Sequence, residues 1–105
     1  MSKPKRARTA RREADRGAKK DRGLIERVYA LERGGAPDRP IELVSASEVE
    51  PDAMSRTCPY CGGEPRLVEH TVSEHAGRRI RVTALQCKLC HSAYRRYYAL
   101  GPMLS

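Results

Sequence analysis

The sequence contains no tryptophan and no phenylalanine, and tyrosine, present five times, is its only aromatic residue. A chain of 105 residues with so little large apolar material allows one small domain at most, and burial alone cannot hold it together. Long apolar runs are missing too: nothing approaches the roughly 20 residues of a membrane span. The opening stretch MSKPKRARTARREADRGAKKDRG has the basic start of an export signal but nothing apolar before Leu24, where such a signal carries an apolar run of about 7 to 15 residues. The expectation is a soluble, cytoplasmic chain without membrane association, in which cysteines serve metals rather than disulfides.

Charge is plentiful but uneven. The formal net charge is +8, and residues 1–22 hold ten Lys/Arg against three acids. This basic arm, interrupted by Pro4 and Gly17 and lacking an apolar face, reads as disordered or as a fraying helix when free. From Leu24 the pattern changes. Leu24, Val28 and Leu31 fall at i, i+4 and i+7, with Ile25 and Tyr29 beside them, which predicts an amphipathic helix over 23–35 closed by Gly34, Gly35 and Pro37. Residues 36–57 read as a linker. Within it IELVSASEVE, 41–50, alternates as an extended strand closed by Pro51, although the Ser45 to Glu48 spacing also suits the cap of a short helix.

Four cysteines remain, arranged as CPYCGG at 58–63 and CKLC at 87–90, two CxxC pairs separated by 25 residues. Two intervening residues let both sulfurs of a pair converge on one ion, and Zn2+ takes four such ligands in a tetrahedron. Cys58, Cys61, Cys87 and Cys90 are therefore the expected ligands of one structural Zn2+. Gly62 and Gly63 suit the positive φ and close approach of a turn around a metal. Between the pairs, Val68, His70 and Val72 alternate on one strand and Ile80, Val82 and Ala84 on the next, with His75-Ala76-Gly77 as the turn. A hairpin there brings Cys61 to Cys87, and residues 92–100, with Tyr94 and Tyr98 alternating against Arg95 and Tyr97, add a third strand. His70 and His75 read as solvated hairpin residues, since four thiolates already satisfy the metal.

With those motifs in place, residues 58–98 resemble a zinc ribbon, the CPxCG…CxxC knuckle-and-hairpin fold. The resemblance implies a three-stranded antiparallel sheet with two CxxC knuckles over 58–100, and with the N-terminal amphipathic helix read from the apolar spacing the expected fold is a small metal-stabilised α+β protein. It also implies zinc and a leaning towards nucleic acid or its machinery. One departure stands out: many ribbons carry Gly after the second CxxC, and this chain has His91. Histidine is among the few non-glycine residues enriched in the left-handed region, so His91 is expected to take that conformation.

The expected role is non-catalytic association with nucleic acid or a nucleoprotein machine such as polymerase or ribosome. Candidate contacts are Lys5, Arg6, Arg8, Arg11, Arg12, Lys19 and Lys20 of the arm and Arg79, Arg81, Arg95 and Arg96 of the strands, with tyrosines interleaved for stacking. A protein-interaction adaptor, using the ribbon edge and the Leu24 to Leu31 face, and a thiol-switched chaperone are the alternatives. No catalytic constellation appears, so no enzyme is expected. Read alone, CKLCH also matches the attachment pattern of c-type haem, but haem leaves CPYCGG unexplained. Purified protein is expected to show no Soret band in its visible spectrum; a Soret band would restore the haem reading.

Overall fold

The apolar spacing that starts at Leu24 does make a helix. The computed structural model describes residues 21–101, and within them helix α1 runs over 21–31. It stops short of the expected 35, and the turns that follow are held by Glu32 N–H to Tyr29 O and Gly35 N–H to Glu32 O, both 3.0 Å. Its buried face is not the expected one. Tyr29 is the buried residue, with Ile25 half-buried one turn before it, while Leu24, Val28 and Leu31 are 59%, 50% and 64% exposed. Tyr29 offers more than the aliphatics do: its ring meets Tyr94 edge-on at 6.1 Å, and its hydroxyl donates to the Arg95 carbonyl.

The predicted strand over 41–50 is cut short. Only β1, Ile41–Leu43, is extended. Ser45 then forms a capping box with Glu48 and starts a 3-10 turn, Ala46–Glu48, that runs into helix α2, Val49–Ser55. Local side-chain bonds to the backbone win over the period-two pattern here. Pro51 falls within the first turn of α2, where no N–H is needed, so it belongs to the start of a helix rather than the end of a strand. Val49 and Ala53, one turn apart, are fully buried. Asp52 accepts from the Tyr98 hydroxyl at 2.7 Å and from Arg56 Nε at 2.8 Å.

β2, Pro65–His75, and β3, Arg78–Cys87, form a long antiparallel hairpin. Its two-residue turn, Ala76-Gly77, has φ of 51° and 78°, the left-handed pair that matches strand twist in tight hairpins; His75 lies on the strand, paired with Arg78. A bulge at Val68 shifts the register of β2. β4, Ala93–Leu100, pairs antiparallel with β3, and β1 joins β4 in parallel, giving a four-stranded mixed sheet in the order β1-β4-β3-β2. Three antiparallel strands were expected, and β1 adds a fourth. It is parallel because α2 carries the chain from β1 to β2 at the far edge of the sheet.

Both helices lie on one side of this sheet, giving a small α+β architecture. The covered side carries Thr83, Leu85 and Cys87 of β3 and Tyr94, Arg96 and Tyr98 of β4, all buried. Of these, Leu85, Cys87, Tyr94 and Tyr98 form the hydrophobic core with Tyr29, Ile41, Val49, Ala53 and Cys58. The alternation of Ile80, Val82 and Ala84 therefore marks the opposite side of β3, where only Ile80 is fully buried. Among the described residues, no helix is long and apolar enough to cross a membrane.

A core built on tyrosines titrates. Burial pushes the Tyr29 phenol up to about 12 and raises Tyr94 and Tyr98 as well. Phenols raised above their unfolded value of about 10 contribute stability that is fully present below pH 10 and is lost as the pH rises through the folded values. In an alkaline titration followed by phenolate absorbance, these three should stay protonated past pH 10 and ionise together with loss of the sheet's circular dichroism. Ionisation of all five tyrosines near pH 10 with the sheet intact would contradict this packing.

Candidate metal centre

The two CxxC segments form matching turns. In the first, Gly62 N–H donates to the Cys58 carbonyl at 2.8 Å, and the N–H groups of Tyr60 and Gly63 point at Cys58 Sγ and Cys61 Sγ, each at 3.4 Å. In the second, His91 N–H donates to the Cys87 carbonyl at 3.0 Å, and the N–H groups of Leu89 and Cys90 reach Cys87 Sγ at 3.3 and 3.4 Å. The residue after each second cysteine is left-handed: Gly62 has φ 76° and His91 has φ 62°. His91 thus stands in the backbone role expected of it. Gly63 is needed for space, because a Cβ there would sit 2.8 Å from Cys87 Sγ and 2.9 Å from Leu89 Cβ.

The hairpin brings the turns face to face. Pro65 pairs with Cys87 in the β2–β3 ladder, and Lys88 N–H donates to the Glu64 carbonyl at 2.9 Å. All four Sγ atoms lie within 4.8 Å of one another. The nearest pairs cross between turns, Cys58 to Cys90 at 3.8 Å and Cys61 to Cys87 at 3.4 Å. A tetrahedral tetrathiolate with metal–sulfur bonds of about 2.3 Å has edges of about 3.8 Å, so the donor set fits a metal ion. The thiols are free, and neither His70 nor His75 belongs to the cluster. His70 Nδ1 instead lies 2.9 Å from Glu50 Oε2 of α2, and His75 is exposed at the hairpin end.

Electrostatics explain why such a cluster wants a cation. The backbone N–H of Cys90 lowers the Cys87 thiol, and the Ser92 hydroxyl, 3.2 Å away, with the Ser92 backbone draws Cys90 down to about 6. Cys61 goes the other way. The Gly63 N–H pulls it down, but the thiols of Cys87 and Cys90 outweigh that and push it up to about 12. Burial raises Cys58. Thiolates this close cannot all form without a positive charge among them, and a bound dication supplies it. Ser92, buried between Cys90 and β4, supports the site without belonging to either CxxC motif; its only mark in the sequence is a hydroxyl two residues after Cys90.

Other elements anchor the centre. Cys58 and Cys87 are buried within the core, while Cys61 and Cys90 face outward. From α1, Glu26 accepts from the Tyr60 hydroxyl at 3.3 Å, and the Arg22 guanidinium sits 4.4 Å from the centre of the Tyr60 ring.

The strand arginines do not gather into one surface. Arg95 is exposed on the side of the sheet away from the helices, whereas Arg79, exposed, and Arg81, half-buried, alternate with Thr83 toward the helix side. Arg96, expected among the surface cations, is 5% exposed and lies 5.3 Å from the Tyr29 ring centre. The alternation of β4 puts it between Tyr94 and Tyr98. The arm candidates Lys5, Arg6, Arg8, Arg11, Arg12, Lys19 and Lys20 lie outside the described residues.

Comparison with known proteins finds no match among family models, curated proteins or solved structures.

Four thiolates around one point predict one metal ion per chain. Metal analysis of Cys87→Ser or Cys58→Ser protein should show that ion lost. Chelation of the wild type should abolish the sheet signal, which metal restores, and acidification should release the ion as protons compete for the thiolates. Sheet structure that survives complete metal removal would refute the dependence.

Proposed function

We propose that this chain is a zinc-ribbon protein that associates with nucleic acid or a nucleoprotein machine and performs no catalysis. The ion is Zn2+, held by Cys58, Cys61, Cys87 and Cys90 as a structural centre. Four thiolates leave no open position for water, so no metal-bound nucleophile forms. The two turns are the knuckles of the ribbon, and β2, β3 and β4 are its three antiparallel strands.

One observation carries the reading of nucleic-acid association: the side of the sheet that neither helix covers presents Arg95 and Tyr97 of β4 and, across β3, Arg66 of β2. Arg66 pairs with Gln86, Arg95 with Ala84 and Tyr97 with Val82. These positions alternate with the core residues and so share the open face. Arg66 and Arg95 are exposed and Tyr97 is half-buried. Two exposed arginines and an aromatic ring on one sheet face, with the single carboxylate of Glu69 in the row of Arg95, suit phosphate contact and base stacking on a single strand. The charge of residues 1–22 would add long-range, salt-dependent attraction without sequence preference.

Fluorescence anisotropy with a labelled single-stranded RNA and a duplex DNA, at about 50 and 200 mM salt, tests this. The full chain should bind the single strand more tightly and lose roughly tenfold or more in affinity across that range. Arg95→Gln with Tyr97→Ser should weaken single-strand binding about tenfold, since a stacked base contributes about 1 to 3 kcal/mol. Absence of binding to either nucleic acid at low salt would sink the proposal.

A further inference from the structure

Arg96 is a buried cation that finds no anionic partner among the described residues. Among the described residues its guanidinium makes no ion pair, and its Nε is buried with no hydrogen-bond acceptor. The nearby carboxylate of Asp52 is already engaged by the Tyr98 hydroxyl and Arg56. The Tyr29 ring faces the guanidinium at 5.3 Å, which offsets only part of the cost of burying a charge.

Arg96 does have an outlet. It lines a cleft of about 570 Å3 between α1 and the Cys58 turn, whose other walls include Leu24, Ile25, Val28, Tyr29 and Cys58. The carboxylate of Glu32 also borders this cleft, but it is exposed and makes no ion pair with Arg96 among the described residues. From the cleft, the unpartnered stripe of Leu24, Val28 and Leu31 runs along α1 at i, i+4 and i+7. The site therefore joins one buried anion-seeking group to two turns of exposed apolar surface.

We propose that this cleft and stripe dock an acidic, apolar peptide segment of a partner protein, a role separate from association with nucleic acid, in which one carboxylate of the segment reaches Arg96 while neighbouring apolar side chains cover Leu24, Val28 and Leu31. A carboxylate on a side chain can enter the cleft, and its two oxygens match the planar fork of a guanidinium. A backbone phosphate, flanked by sugars, reaches a buried arginine poorly and gains nothing from an aliphatic stripe. Arg96 Nε is already buried with no acceptor among the described residues, so a carboxylate that reaches it adds a charge-assisted hydrogen bond where none exists.

The test is heteronuclear NMR on the metal-loaded full chain, observing Arg96 Nε–H and the Val28 methyls. The probes are acetyl-Leu-Glu-Leu-Leu-amide, its Gln counterpart, and a twelve-residue oligothymidylate. The Glu peptide should shift both sets of resonances, and the Gln peptide should bind about tenfold more weakly, the scale of a charge-assisted bond. Leu24→Ser with Val28→Ser, both at exposed positions, should keep the fold and weaken the Glu peptide several-fold. Arg96→Lys should weaken it as well, through loss of the fork. Equal effects of the Glu and Gln peptides, or an unmoved Arg96, would overturn the proposal. So would oligothymidylate displacing the peptide from Arg96, which would assign the cleft to nucleic acid.

Discussion

Everything in this molecule depends on four sulfur atoms meeting at one point. Cys58 and Cys61 arrive from the segment before the hairpin, Cys87 and Cys90 from its far end, and the ladder between β2 and β3 must close in register for them to meet. Cys58 and Cys87 are also core residues. The cluster is thus one end of the core, and a metal ion held there would couple packing to coordination. Structural zinc in small domains contributes on the order of 10 kcal/mol, comparable with the entire net stability of a typical domain, about 5 to 15 kcal/mol.

The rest of the core shows what a fold does when its aromatics all carry hydroxyls. Tyr29 and Tyr98 find acceptors in the Arg95 carbonyl and the Asp52 carboxylate, and those two bonds dock α1 and α2 on the sheet. Thr83, fully buried, gives its hydroxyl to the Arg96 carbonyl at 2.9 Å. Polar contacts of this kind fix the orientation of each helix more tightly than aliphatic packing would. They also leave the aliphatic residues of α1 free to face outward, so the sheet has one covered side, one open side, and an apolar stripe on the helix above.

The parts of this arrangement that could be read from the sequence are those governed by local rules. CPYCGG and CKLC announce their convergence through spacing alone, and the left-handed backbone of His91 follows from its place after the second pair. What escaped depends on competition between patterns. The i, i+4, i+7 rule selects Leu24, Val28 and Leu31, yet Tyr29 wins the buried face because Tyr94 and the Arg95 carbonyl wait opposite it, contacts 65 or more residues away in sequence. Over 41–50 two local rules conflicted, and the capping box of Ser45 and Glu48 prevailed over alternation. The alternation in YRRYY sets Arg96 on the same face as Tyr94 and Tyr98, but its burial depends on Tyr29 of α1 arriving over that face, a contact between distant segments.

The Val68 bulge has a consequence for how the molecule behaves at high concentration. β2 is an edge strand of 11 residues, long enough for a second chain to add itself along the unpaired backbone, and Val68 and Val72 are half or more exposed on it. An uninterrupted edge of this length is a template for stacking chain on chain. The extra residue at Val68 breaks the edge into two short stretches whose side chains are out of step, and a neighbouring strand in register with one is out of register with the other. The irregularity interrupts the free edge as a continuous template for a second chain.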